Sequence, residues 1–175
     1  PINMDDTDSE TPRQHIGGQL AMGYTDITRQ GGRTEVPFFE ARGISPAAGY
    51  ASSVDDLAKF AMWQFRLRGD TEELVHAYTL AEMQRVHFAR PGSNTMRGLG
   101  FSVSARDGET FVGHGGSCPG FRTTLSLQND SKIATVAMVN AMASAGKYST
   151  GVYNLFADAI KIPTAEKNEH PVTAD

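Results

Sequence analysis

The residues of this chain best suited to chemistry stand together in Phe111-Val112-Gly113-His114-Gly115-Gly116-Ser117-Cys118-Pro119-Gly120-Phe121. His114 falls at the end of one expected strand, and Gly115 and Gly116 follow it directly. Glycines in that place let a ligand approach the main chain where no Cβ stands in the way. They also expose N–H groups that can hold an anion or a polarised carbonyl oxygen. His114 can orient a substrate, or hydrogen-bond a carboxylate or a leaving group. It can equally be a strand-end histidine bonded to nearby backbone, and the two glycines can equally mark a bulge. Tyr50, beside Gly49, can line a cleft or pack as an ordinary aromatic. Arg122, on the polar side of its strand, can meet an anionic substrate or extend into water.

Other candidates fall away on spacing. Ser144-Ala145-Gly146-Lys147 fits Ser-x-x-Lys formally, but two fixed positions arise easily by chance and Gly146 suits a catalytic helix poorly. Gly116-Ser117-Cys118-Pro119-Gly120 lacks the spacing of a Gly-x-Ser-x-Gly elbow. Cys118 has no charged neighbour in sequence and reads as a small structural residue. His15, His76, His87 and His170 show no metal-ligand spacing with one another or with Cys118. Neither a metal nor an organic cofactor is implied. Asp55 and Asp56 read as charges at a helix start rather than as an acid–base pair.

The elements that must position these residues are legible from periodicity. Ser53 with Asp56 forms a capping-box pattern ahead of Val54, Leu57, Ala58, Ala61 and Phe65, which fall on one helical stripe. Phe60, Trp63 and Leu67 widen that stripe, Met62 and Trp63 read as core, and Arg66, Arg68 and Gly69 end the helix. Thr79 with Glu82 opens a second, short helix to about Val86. After Pro91-Gly92 the period changes to two: Leu99, Phe101, Val103 and Ala105 alternate with small polar residues up to an Asp107-Gly108 turn. Thr110–His114 runs back. Phe121, Thr123, Leu125 and Leu127 alternate with Arg122, Thr124, Ser126 and Gln128, which predicts one wet face. Ile133–Val139 is apolar on both faces and reads as central. Val152, Leu155, Phe156, Ala159 and Ile160 form the stripe of a last helix that ends before Pro163. Gln19–Thr25 reads as a short strand between irregular stretches. The expected class is α+β: an antiparallel sheet of about four strands within residues 98–140, flanked by helices.

Composition sets the outer limits. The chain has 175 residues, 39% hydrophobic and 21% charged, which is ordinary for a soluble globular domain. A net charge of −4 gives no support to bulk nucleic-acid or acidic-membrane binding. No apolar run reaches the ~20 residues of a membrane helix, and no signal peptide is visible after Pro1. Starting at Pro1 suggests a processed, excised or truncated chain, and residues 163–175 read as a tail or linker. One cysteine leaves the compartment undecided.

Three segments resemble the C-terminal half of the serine β-lactamase-like hydrolases, which include class C β-lactamases, penicillin-binding peptidases and related esterases. Pro1-Ile2-Asn3-Met4-Asp5-Asp6-Thr7, then Leu20-Ala21-Met22-Gly23-Tyr24, is similar to the stretch after that family's Tyr-x-Asn element. Pro46-Ala47-Ala48-Gly49-Tyr50 and the following helix to Phe60 resemble its glycine turn. Gly98-Leu99-Gly100-Phe101, Gly113-His114-Gly115-Gly116-Ser117 and Pro119-Gly120-Phe121 resemble the strands that bear its third motif. The match spans residues 1–162. It implies an acyl-transfer hydrolase in which His114, Gly115 and Gly116 form one wall and the Ser117 N–H is one of two oxyanion donors. Tyr50 and Arg122 are the candidates for substrate contact from the residue reading above, with packing and solvation as their alternatives. His in place of Lys slightly favours an esterase or peptidase over a β-lactamase, because a permanent cation is lost. The Ser-x-x-Lys and Tyr-x-Asn elements would lie upstream of Pro1. The chain alone is therefore expected to be inactive, with a small acyl substrate and either the missing N-terminal half or a second copy as partner. A non-catalytic binding module on the same scaffold is the alternative, and a periplasmic or extracytoplasmic site is what the resemblance suggests.

Overall fold

The protein was described from a computed structural model covering residues 3–9, 18–67 and 72–160. Expectations for Pro1, Ile2, His15, Arg68, Gly69, His170 and the 163–175 tail lie outside the described residues. A 3-10 turn at Arg42–Ile44 leads into the one-turn helix α1 (Ser45–Ala48), followed by α2 (Val54–Leu67) and α3 (Ala77–Met83). Strands β1 (Thr95–Arg97), β2 (Ser102–Arg106), β3 (Glu109–Cys118), β4 (Phe121–Gln128) and β5 (Ile133–Val139) come next, and α4 (Ala145–Ile160) closes the described part. The strands pair in sequence order as one antiparallel sheet. Among the described residues no helix is long and apolar enough to cross a membrane.

The sheet has five strands rather than four, and it begins before residue 98. Three residues of β1 are too few to show an alternation, so only pairing with β2 reveals them. The β2–β3 turn uses Asp107 (φ 53°) and Gly108 (φ 81°), as an Asp-Gly hairpin requires. β3 does not end at His114: it runs on to Cys118 in unbroken register with β4, with no bulge at Gly115 or Gly116. Gln19–Thr25 forms no strand of its own; it contributes single bridges from Tyr24 to Glu35 and to Ala141.

Strand alternation divides the sheet into two faces. Val103, Val112 and Leu127 are buried on one, and Phe101 on that side packs against the cluster Trp63, Leu67 and Leu80 of α2 and α3. The α2 start is as the spacing predicts, with the Asp56 N–H donating to Ser53 Oγ at 3.1 Å. Met62, expected in the core, is 58% exposed, because it lies on the α2 side away from Trp63 and Leu67. α3 opens at Ala77 after His76, two residues before the expected Thr79 cap, and stops at Met83.

On the other face sits α4, and here the expected wet face is largely covered. Gln128 and Thr135 are buried, and the Thr135 and Ser149 hydroxyls bond at 2.6 Å. Tyr153 packs edge-on to Phe111 at 4.9 Å and donates to Glu109 Oε2 at 2.7 Å. Polar side chains can face a helix when each finds a partner, and that reverses the helix itself. α4 turns Ala145, Ser149 and Tyr153 inward. Its apolar stripe of Val152, Leu155, Phe156 and Ile160 faces outward, with Leu155 72% exposed.

Candidate active site

The site begins where β2 ends. The last β2–β3 pair is Ser102 opposite Gly113, while β3 continues for five more residues, His114–Cys118. Along that length β3 is paired on its β4 side and, among the described residues, has no strand partner on the other. An open strand edge offers unpaired N–H and C=O groups in a fixed row, the arrangement that accepts an extended ligand. His114, Gly115, Gly116 and Ser117 all lie on it and all are exposed.

The glycines differ in why they are glycine. A Cβ on Gly116 would run into the Thr123 hydroxyl, so the partner strand already fills that space. A Cβ on Gly115 would meet only the Thr123 carbonyl oxygen at 3.6 Å, an ordinary contact. Nothing within the described protein therefore demands glycine at 115, and open space over the strand there suits an incoming ligand.

A groove of about 550 Å³ opens beside this edge, on the α4 face of the sheet. It gathers Gly115, Gly116, Ser117 and Arg122 with Thr124 and Ser144. Ser117 stands directly opposite Arg122 in the register, so four of the six sequence-derived candidates meet here. His114 is on the same strand, but alternation turns its side chain to the other face, and it is not part of the groove wall. Tyr50 does not join: it is 64% exposed in the loop between α1 and α2.

Ser144 is the residue spacing alone undervalued as a neighbour of the site. It lines the groove, yet its Oγ accepts the Lys147 N–H at 3.3 Å, as the cap of α4. The Ser-x-x-Lys pattern is thus a helix start. Cys118 is half-buried, and burial pushes its thiol up, so it is a poor thiolate. Among the described residues no group of three or more His, Cys, Asp or Glu is placed to hold a metal ion.

Asp56 is the residue whose role sequence reasoning missed. It stands in the first turn of α2, as the helix-start reading has it, but it is fully buried and partnered from outside the helix. Its Oδ2 accepts the Asp6 N–H at 2.9 Å and the Thr7 hydroxyl at 2.8 Å, and Lys59 Nζ donates to Oδ1 at 3.0 Å. Burial alone would raise this carboxyl, but the bonds from Lys59, Thr7 and the Asp6 N–H outweigh it and hold it below the usual carboxylate range. Lys59, bonded to Asp55 as well, is correspondingly raised. The segment 3–9 is tied to α2 by this carboxylate and to the loop before α2 by the Asp8–Ala51 bridge.

Comparison with known proteins gives a consistent frame. The Beta-lactamase family profile matches residues 1–160. The penicillin-binding protein homologue from Pyrococcus abyssi, an octamer, superposes with a TM-score of 0.73 at 21% identity, over 89% of this chain and 34% of that one. The D-amino acid amidase from Ochrobactrum anthropi SV3 gives 0.68 at 25% identity, over 92% of this chain and 48% of that one. A beta-lactamase/D-alanine carboxypeptidase from Pseudomonas syringae gives 0.68 at 14%, over 90% of this chain and 50% of that one. The chain thus spans a third to a half of the length of these structures. Curated proteins yield no match.

Proposed function

The chain belongs to the Beta-lactamase family, and on that premise we propose that it supplies the His-x-Gly wall of an acyl-transferring serine hydrolase. The observation that carries this is the open β3 edge, where His114–Ser117 run on past the last pair with β2. A substrate laid along that edge places its carbonyl oxygen at the Ser117 N–H, one donor of an oxyanion hole. Gly115 gives it room, Arg122 attracts an anionic group, and His114 bonds the leaving group or orients the acyl portion. The nucleophile belongs to a Ser-x-x-Lys helix outside this chain. Serine attacks the carbonyl of an ester or amide, and water later releases the acyl group. Histidine in place of a permanently charged lysine and the amidase among the structural neighbours both favour an ester or amide over a lactam.

The outward stripe of α4 supports association, with the N-terminal half of such a domain or with another copy of the chain; the Pyrococcus homologue is itself octameric. A non-catalytic binding module is the second reading, and the engagement of Ser144 as a helix cap favours it for the chain by itself.

The test is acyl-adduct mass spectrometry with a chromogenic short-chain ester. The 175-residue chain should carry no adduct. The same chain joined to a segment bearing Ser-x-x-Lys should acylate there, and His114→Ala should slow it. An adduct on Ser144 of the chain alone would overturn the assignment.

A further inference from the structure

We infer that the groove on the α4 face selects a zwitterionic substrate, an unblocked short peptide whose ammonium group meets Asp26 while its carboxylate meets Arg122; this rests on reading the β3 edge as the substrate-binding edge. Asp26 is the acidic and Arg122 the basic residue among those that line the groove, together with Gly115, Gly116 and Ser117 of that edge. Both charges and the edge therefore border one space of about 550 Å³.

Both charges have capacity to spare. The half-buried Arg122 guanidinium makes no hydrogen bond or ion pair among the described residues. Asp26 is engaged through Oδ1 alone, which accepts the Ile27 N–H at 2.8 Å and lies 3.6 Å from Arg33 Nη1. Its Oδ2 has no partner among the described residues, and Asp26 and Arg122 do not pair with each other. Opposite charges held apart in one groove attract opposite ends of a ligand, and a ligand that carries both charges satisfies them together.

Backbone bonds fix where Asp26 stands. Two residues before it, the Tyr24 N–H donates to the Asn140 carbonyl at 3.0 Å, and the Met142 N–H donates to the Tyr24 carbonyl at 3.0 Å. These bonds join the segment to the chain between β5 and α4, whose Met142, Ala143 and Ser144 line the groove. On the other side the Thr25 N–H donates to the Thr34 carbonyl at 2.9 Å, and Arg33 Nη1 donates to the Thr25 carbonyl at 2.7 Å. Arg33 is thereby committed to main chain, and its 3.6 Å approach to the exposed Asp26 is a loose ion pair of little strength. A carboxylate so placed needs no rearrangement to receive an ammonium group. The walls limit the ligand's side chains: Ala143, Ala145 and Gly146 supply no large apolar surface, while Ser117, Thr124 and Ser144 supply hydroxyls. Such a lining suits a peptide main chain with small side chains better than a bulky apolar group.

The experiment is a titration of the 15N-labelled 175-residue chain with glycylglycine, N-acetylglycylglycine and glycylglycinamide. Glycylglycine should shift the Ser117 amide, which reports the edge, and the Ile27 amide, which reports Asp26 through its bond to Oδ1. N-acetylglycylglycine should bind about fivefold more weakly, the upper range for an exposed ion pair, and leave Ile27 still. Glycylglycinamide should also bind about fivefold more weakly, because Arg122 loses its carboxylate. Asp26→Asn keeps an acceptor for the Ile27 N–H, so the loop should fold. It should lower affinity for glycylglycine about fivefold and leave that for the acetylated peptide unchanged. Equal affinity for glycylglycine and either blocked peptide, or a preference for the free amine that survives Asp26→Asn, would overturn the inference. The Ser117 amide keeps the two readings apart. If it responds to all three peptides alike while Ile27 is silent, the Asp26 assignment falls and the edge stands. If Ser117 is silent, the edge reading fails and the Asp26 assignment fails with it.

Discussion

The Thr123 hydroxyl fills the place where a Cβ on Gly116 would stand, so these paired residues of β3 and β4 behave as one steric unit. Gly116→Ala should destabilise the fold by about 1–3 kcal/mol through overpacking. Adding Thr123→Ala should recover most of that loss, a coupling that chemical denaturation of the four-member cycle measures directly.

Asp56 makes the N-terminal segment acid-labile. Its folded-state carboxyl is held below the ordinary value of 3.8, so its contribution is present above that pH and is lost as pH falls through the lower folded value. Amide exchange at Asp6 and Thr7 should accelerate below about pH 4 while the sheet stays protected. Asp56→Asn should bring the same acceleration to neutral pH and lower Tm, because Lys59 and Thr7 lose their charged acceptor.

Tyr153 acts in the opposite direction. Burial, with the Glu109 carboxylate accepting its hydroxyl, pushes its ionisation up to about 12 from 10.0. A raised acid favours the protonated folded state, so this contribution holds below pH 10 and declines as pH rises toward 12. Tyr153→Phe should cost about 1 kcal/mol at neutral pH and flatten the alkaline end of the stability profile.

Catalysis should depend on His114 without depending on Ser144. In an assembled hydrolase, His114→Ala should lower kcat/KM about 100-fold, the lower range for a positioned acid–base group. Ser144→Ala should leave turnover unchanged and cost only about 1 kcal/mol as a lost cap.

The α4 stripe should govern association. Light scattering of the chain should show species larger than the monomer, together with apolar-dye binding. Leu155→Glu with Phe156→Glu, both at exposed positions, should reduce both signals with little effect on folding.

Local patterns in the sequence determined the α2 cap, the Asp-Gly hairpin, β2, β4, β5, the existence of α4 and the motif His114–Ser117, because each is encoded by residues close together in the chain. Tertiary structure decided what depends on partners far apart. Three-residue β1 exists through its pairing with β2 and the Phe88–Arg97 bridge, and β3 extends past His114 because β4 matches it residue for residue. The apolar stripe of α4 gave the helix but not its orientation. Ser149, Tyr153 and Thr150 found hydroxyl, carboxylate and guanidinium partners on the sheet, and those contacts turned the stripe outward. Asp56 reads as a helix-start charge, which it is, but only the segment at Asp6 and Thr7 closing over it makes it a buried tie. Periodicity records which residues are apolar; only the fold decides which polar groups are satisfied, and that sets which face is buried.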